Sequence, residues 1–242
     1  MKTIVISQPM LFPWVGLFEQ IRLADLYVHY SDVQFSKGSF VNRVQIKTAQ
    51  GSKWLTVPLH NLALGQRIDS VQVRPQTGGA GDWRRRHLDM LKQAYKEAPF
   101  KHEMFSLVET LYSTTWETIG SLSLASIEIC CDYFGLSKQT SFIDVKDLGI
   151  SGSSSQRVFD IVQHLEGGKY VTGLGARHYL DHELFEKAGI LVEYMDYQRN
   201  EYPQRHGRFD PHVSILDLIA NMGQNGLPLI RSKSIPWRET LE

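Results

Sequence analysis

Thr3 to Ser7 (TIVIS) is a nearly all-apolar, β-rich pentad, followed at once by QPMLFPWVG and then by the amphipathic residues 15–24 (VGLFEQIRLA). A short apolar run of this kind predicts a strand buried on both faces of a parallel sheet, and the helical spacing after it predicts a crossover helix. Residues 26–30 (LYVHY) return to strand character, so the chain opens as strand, loop, helix, strand. In open α/β sheets ligands sit in the crevice beyond the carboxyl ends of the strands. The loop that carries Gln8, Pro9, Pro13, Trp14 and Gly16 belongs at that end.

Two readings of this loop stand side by side. Its two prolines restrict φ and constrain the residues before them, which suits a rigid crossover with Phe12 and Trp14 covering the core. Gln8 points elsewhere, because a polar amide just after a buried strand has to find partners in the backbone or in a ligand.

Downstream, VNRVQIKT and KWLTVPL flank Ala49, Gln50, Gly51 and Ser52, a hairpin signal. Residues 69–73 predict another short strand and residues 77–81 a glycine-rich break. The period is helical from Asp82, a natural N-cap for WRRRHLDMLKQAY, which Pro99 ends. Thr114 or Thr115 is expected to cap the long stretch that Gly135 closes. Strand and helix then alternate through TSFIDV, SSQRVFDIVQHLE, KYVTG, HELFEKAG and ILVEYMDY, before a last helix at residues 213–222 and a mixed tail. The expected fold is α/β: a Rossmann-like, mainly parallel sheet flanked by helices, with an N-terminal β-hairpin insertion and a helical insertion at residues 82–135. Residues 1–242 read as a single domain.

Lys plus Arg and Asp plus Glu both total 26, so the balanced charge carries no electrostatic footprint for nucleic acid. The dense basic spot Arg84–Arg85–Arg86 opens a helix and reads as a solvated face, with phosphate binding as the alternative. No apolar run reaches the roughly 20 residues that span a bilayer. MKTIVISQP has too short an apolar stretch for a signal peptide, and a cytoplasmic location is expected. Cys130 and Cys131, adjacent in a helical pattern, suit neither a disulfide framework nor a CxxC clip and are expected in the core.

Asp32 and Gln34 alternate in SDVQF, so in extended chain they face one side, toward Gln8; an Asp32 that caps a turn is the plain alternative. Arg43 and Lys47, beside Asn42, share a strand face and suit a phosphate or carboxylate clamp; exposed hairpin cations are the plain alternative. Gly173 and Gly175 follow a strand and precede a helix, where a backbone can approach a ligand or simply turn from strand to helix, and His178 fills the last glycine's slot of the dinucleotide fingerprint. Tyr179 adds a hydroxyl. His178 and His182 lack the glutamate of HExxH and fall on different sides of a helix start capped by Asp181, so no metal site is expected there. His60 ends a strand and is an acid/base candidate, or a hydrogen-bonded structural histidine. Ser214, Asp217 and Asn221 recur at three- and four-residue steps along one helical face, bordering the crevice or facing water.

QPMLFPWVGLFEQIRLADLYVHYSDVQFSKGSFVNRVQIKT resembles the opening of the WbqC-like protein family of bacteria in its QP…PWxG core, AD before a strand, DVQF, NR and IKT. The resemblance continues through WLTVP, through Gly173, Gly175 and Tyr179, and into FDPHVSILDLIANMG. It implies an enzyme of surface-glycan or modified-sugar biosynthesis that transfers an aminoacyl or acyl group to an amino sugar or sugar nucleotide. Gln8, Pro13, Trp14, Gln34, Asn42, Arg43, Lys47, Gly173, Gly175, Tyr179, Ser214, Asp217 and Asn221 would hold substrate. Asp32 or His60 would take a proton from the attacking amine. The partners implied are a small-molecule acceptor, such as a sugar nucleotide, and an acyl or aminoacyl donor; the sequence names no cofactor. A non-catalytic small-molecule-binding partner of the same pathway is the competing class. The opening also resembles the HxGH nucleotidyltransferases, and ISGSSSQR their ISSTxxR element. Trp14 and Leu17, however, occupy the two histidine slots, and neither side chain can act as imidazole does.

Overall fold

The computed structural model describes residues 1–75 and 81–240; residues 77–80 of the expected glycine-rich break lie outside them. In chain order the elements are β1 (Thr3–Ser7), α1 (Val15–Arg22), β2 (Leu26–His29), and the antiparallel pairs β3 (Arg43–Thr48) with β4 (Gly51–Thr56) and β5 (Leu59–His60) with β6 (Gln72–Val73). The helices α2 (Trp83–Ala94), α3 (Lys101–Ser113) and α4 (Ile119–Phe134) form the insertion. Then come β7 (Ser141–Asp144), α5 (Ser154–His164), β8 (Lys169–Thr172), α6 (His182–Lys187), β9 (Leu191–Tyr197), α7 (Ile215–Met222) and β10 (Ser232–Pro236).

The main sheet has six strands in the order β10-β9-β8-β1-β2-β7, parallel throughout except where β10 runs against β9. From β1 the chain moves outward through β2 to β7, then crosses back to place β8 and β9 on the other side of β1. The strand order therefore reverses between β1 and β8, which makes the carboxyl ends of those two strands the topological switch point of a doubly wound sheet.

Strand alternation builds the two layers. Val5, Tyr27 and Val171 face α1 and the helical insertion, whereas Ile4, Ile6, Val28, Tyr170 and Val192 face α5 and α6. Ile4, Val5, Tyr27 and Val28 are fully buried, each aliphatic one stabilising by about 1.5–3 kcal/mol relative to exposure. Such two-sided burial is why TIVIS is almost wholly apolar.

Asp82 caps α2 as expected, accepting from the Arg84 amide, and Gly135 ends α4 in the left-handed conformation. Thr114 and Thr115, by contrast, do not cap α4. Residues before it are held extended, the Glu117 carbonyl accepting from Val73 N, and the cap is Thr118, whose hydroxyl accepts from Ser121 N at 3.2 Å. Residues 68–70 form a 3-10 turn rather than the start of a strand. Gly120 lets α4 rest on that turn, because a Cβ there would stand 3.0 Å from the Asp69 Cα. Of the three consecutive arginines, Arg85 and Arg86 are exposed, while Arg84 is buried over the Trp83 ring at 4.7 Å. Cys130 and Cys131 are fully buried in the core.

Candidate functional site

At the switch point lies a cleft of about 450 Å³. Ser7 and Gln8 reach it from the end of β1, Trp14, Leu17 and Gln20 from the loop and α1, Thr172, Gly173, Gly175 and Tyr179 from the end of β8, and Met195 from β9. Of the residues singled out in the sequence, Gln8, Trp14, Gly173, Gly175 and Tyr179 thus share one cavity. Gln20, buried on α1, is an addition. Among the described residues no side-chain hydrogen bond engages the amides of Gln8 or Gln20, so both are open to a guest. Neither Gly173 nor Gly175 takes positive φ. A Cβ at Gly175 would meet nothing within 4 Å, and one at Gly173 would only graze Gln20 at 4.0 Å. Both glycines belong to the 3-10 turn that follows β8, Gly173 at its start and Gly175 within Leu174–His178, and their missing side chains leave room in the cleft.

The PWxG stretch has a steric explanation. A Cβ on Gly16 would lie 2.3 Å from the Trp14 ring, so glycine is what lets the indole fold back over the first turn of α1. Tyr197 meets the indole edge-on with centroids 4.6 Å apart. Held on two sides, Trp14 presents a pre-set apolar wall. Pro13 itself is buried, and its carbonyl accepts from Ile215 N at 2.8 Å, so it supports the loop without lining the cleft.

Tyr30 and Tyr179 line both this cleft and an adjoining groove of about 360 Å³ bounded by Asp32, Gln34, Ser153, Ser154 and Arg157. Burial raises the proton affinity of both phenols above its ordinary value, which keeps them as hydroxyl donors. Ser155, in the first turn of α5, ties the two regions together: its hydroxyl donates to the Tyr179 carbonyl and accepts from Asp181 N, both at 2.9 Å.

Asp32 does not stand free as a general base. Arg157 Nη1 and Nη2 hold its two oxygens at 2.9 and 2.6 Å, and the same guanidinium donates to Ile150 O and covers the Tyr30 ring at 5.1 Å. With both oxygens spent on a bidentate pair, the carboxylate is a fixed counter-ion. Arg157 is the residue that sequence reading undervalued; its signal was its position just after the SGSSS stretch. His60 lies exposed on β5 against the Asn61 amide at 3.0 Å and lines neither cleft nor groove, so it is not placed to take a proton from a guest in either.

The hairpin clamp is also corrected. Asn42 Nδ2 donates to Val57 O at 3.0 Å. Arg43 stacks on Trp54 at 4.2 Å and donates to Gly38 O. Lys47 is buried, donating to Gln204 Oε1 at 3.0 Å and to the Gly207 and Arg208 carbonyls. These groups hold the hairpin to its neighbours rather than facing a common ligand. Ser214, Asp217 and Asn221 likewise form an internal network. Ser214 caps α7 and donates to Phe12 O, and Asp217 accepts from the Tyr95 and Tyr202 hydroxyls at 3.0 Å each and from Asn221 Nδ2 at 3.2 Å. Burial pushes the Asp217 carboxyl up to about 6 against these bonds. His182 stacks on Trp237 and bonds the Tyr194 hydroxyl at 2.8 Å, away from His178. Among the described residues no group of three His, Cys, Asp or Glu side chains is placed to hold a metal ion. No helix among them is long and apolar enough to cross a membrane.

Comparison with known sequences follows the same stretch. The model of the WbqC-like protein family matches residues 8–228. The uncharacterized protein Rv1507c of Mycobacterium tuberculosis is 30% identical over 233 residues, covering 96% of this chain and 98% of that one. No solved structure matches.

Proposed function

We propose, for a chain that belongs to the WbqC-like protein family, an enzyme of bacterial surface-glycan or modified-sugar biosynthesis that transfers an acyl or aminoacyl group to an amino sugar or sugar nucleotide. The observation that carries this reading is the cleft at the switch point, which collects two unengaged amides, an indole wall and two hydroxyl donors from four separate chain segments. Amides and hydroxyls suit sugar hydroxyls, and an aromatic wall suits a sugar face or a base. Among the described residues no carboxylate, imidazole or thiol lines the cleft, so catalysis there would rest on holding donor and acceptor together. The acceptor amine would attack the donor carbonyl, forming an amide as the bond between the acyl carbon and its carrier breaks, with the amine's proton passing to solvent or to the departing carrier. Incubating the protein with sugar nucleotides and acyl or aminoacyl donors, then analysing products by mass spectrometry, tests this. An acylated sugar nucleotide, formed by native protein and lost in Gln8→Ala, supports transfer.

The same lack of a titratable base in the cleft favours a second reading, a non-catalytic binding partner of that pathway. Saturable binding of a sugar nucleotide without turnover would select it. The nucleotidyltransferase-like reading is weaker, because Trp14 and Leu17, in the histidine slots, both line the cleft as apolar wall.

A further inference from the structure

Two faces of α1 border two different cavities. Leu17 and Gln20 look into the cleft described above, whereas Glu19 and Arg22 line a second cavity of about 460 Å³ with Gln198, Asn200, Arg231 and Lys233. The two share no lining residue.

Glu19 is 0% exposed, and among the described residues neither of its carboxyl oxygens has a hydrogen-bond partner. Its neighbours are committed elsewhere. Arg22 Nη1 donates to Ile230 O at 2.6 Å, Asn200 Nδ2 to Leu229 O at 3.0 Å, and Gln198 Nε2 to Asp196. The Arg231 main-chain amide donates to Leu229 O at 2.9 Å. A buried carboxyl group without donors is costly, and native folds rarely keep one without a purpose.

We propose that this second cavity is a binding site for a small zwitterion, a molecule with an ammonium group beside a carboxylate or phosphate. The ammonium donates to Glu19, and the anionic group meets the Arg231 guanidinium, with Arg22 beside it. Each half-ligand fits worse than the whole. A plain anion leaves Glu19 without donors, and a plain amine leaves the Arg231 guanidinium unanswered. The site lies outside the sugar cleft, so its fate is read separately from that of the proposed transfer reaction.

Glu19 has its proton affinity pushed up to about 8, first by burial and further by Asp196 on β9, with the charge of Arg22 opposing. An ammonium ligand favours the ionised carboxylate, so binding expels that proton and strengthens as pH rises toward 8. The charged and titratable groups around it are Arg22 on α1, Asp196 and Tyr197 on β9, Arg231, and Lys233 on β10.

Isothermal titration of the full chain with glycine and with phosphoethanolamine, against acetate, inorganic phosphate and methylamine, tests the assignment. At pH 8 at least one zwitterion is expected to bind about tenfold more tightly than any half-ligand. Glycine alone responding identifies a carboxylate partner, and phosphoethanolamine alone a phosphate partner. Glu19→Gln should abolish that preference, and Arg231→Gln, at an exposed position, should weaken the same zwitterion even if the first variant folds poorly. The proposal is overturned if neither zwitterion surpasses its half-ligands, or if both variants bind as the native chain does.

Discussion

Glu19 carries a proton in the folded chain up to about pH 8, whereas an unburied glutamate releases it near 4.5. Folding therefore favours the protonated form: stability is fullest below 4.5 and is lost as pH climbs through about 8. Glu19→Gln cannot ionise. Its melting temperature is expected to vary less than the native one between about pH 6 and 9, and a native-like decline in the variant contradicts the assignment. Gly16→Ala tests a different residue. The added methyl overlaps the Trp14 ring, so the variant is expected to lose about 1–3 kcal/mol of stability in urea titration and to swing the indole away from Tyr197. Unchanged stability would mean that the ring has another resting place. At this scale the sequence was legible where a residue serves the cleft through its own strand end, as Gln8 and Gly173 do. It was silent where a distant partner decides. Asp32 and Arg157 are 125 residues apart, and nothing near Asp32 foretells the guanidinium that occupies both of its oxygens. Ser214, Asp217 and Asn221 have the same spacing whether they face water, a ligand or, as here, the Tyr95 and Tyr202 hydroxyls.

Helix α5 is the element on which the groove depends. Its first turn supplies Arg157 to Asp32 and Ser155 to the segment that bears Tyr179. The ion pair is largely buried, with side-chain exposures of 7% and 13%, so removing one partner strands the other. Arg157→Leu is expected to cost about 3 kcal/mol by urea denaturation, and Asp32→Leu added to it should recover part of that loss. Additive losses in the double variant would show that the pair is not coupled. Periodicity made most elements legible: the apolar strands of the sheet, the Asp82 cap and the Gly135 stop are local signals. β10 escaped because SKSIP is a polar edge strand without alternation, defined only by its antiparallel register on β9. The start of α4 was misplaced because several threonines precede it, and only the pairing of Val73 with Glu117 selects Thr118.

For the molecule as a whole, strand order decides the reading of function. Alternating strands and helices announced a parallel sheet, but not which strands would neighbour β1. The crossing from β7 back to β8 brings residues 7–8 and 172–179 to one place, and that juxtaposition makes a cavity from segments whose sequences say little alone. The proposed transfer requires this cavity to receive a sugar nucleotide. The most direct measurement is a backbone-amide NMR titration of the native chain with UDP-, GDP- and dTDP-linked amino sugars. We predict saturable shifts confined to residues 7–20 and 172–179, weakened about tenfold by Gln8→Ala and unaffected by His60→Ala. Absence of saturable shifts with every one of these compounds, or shifts centred on the β3–β4 hairpin instead, would contradict it.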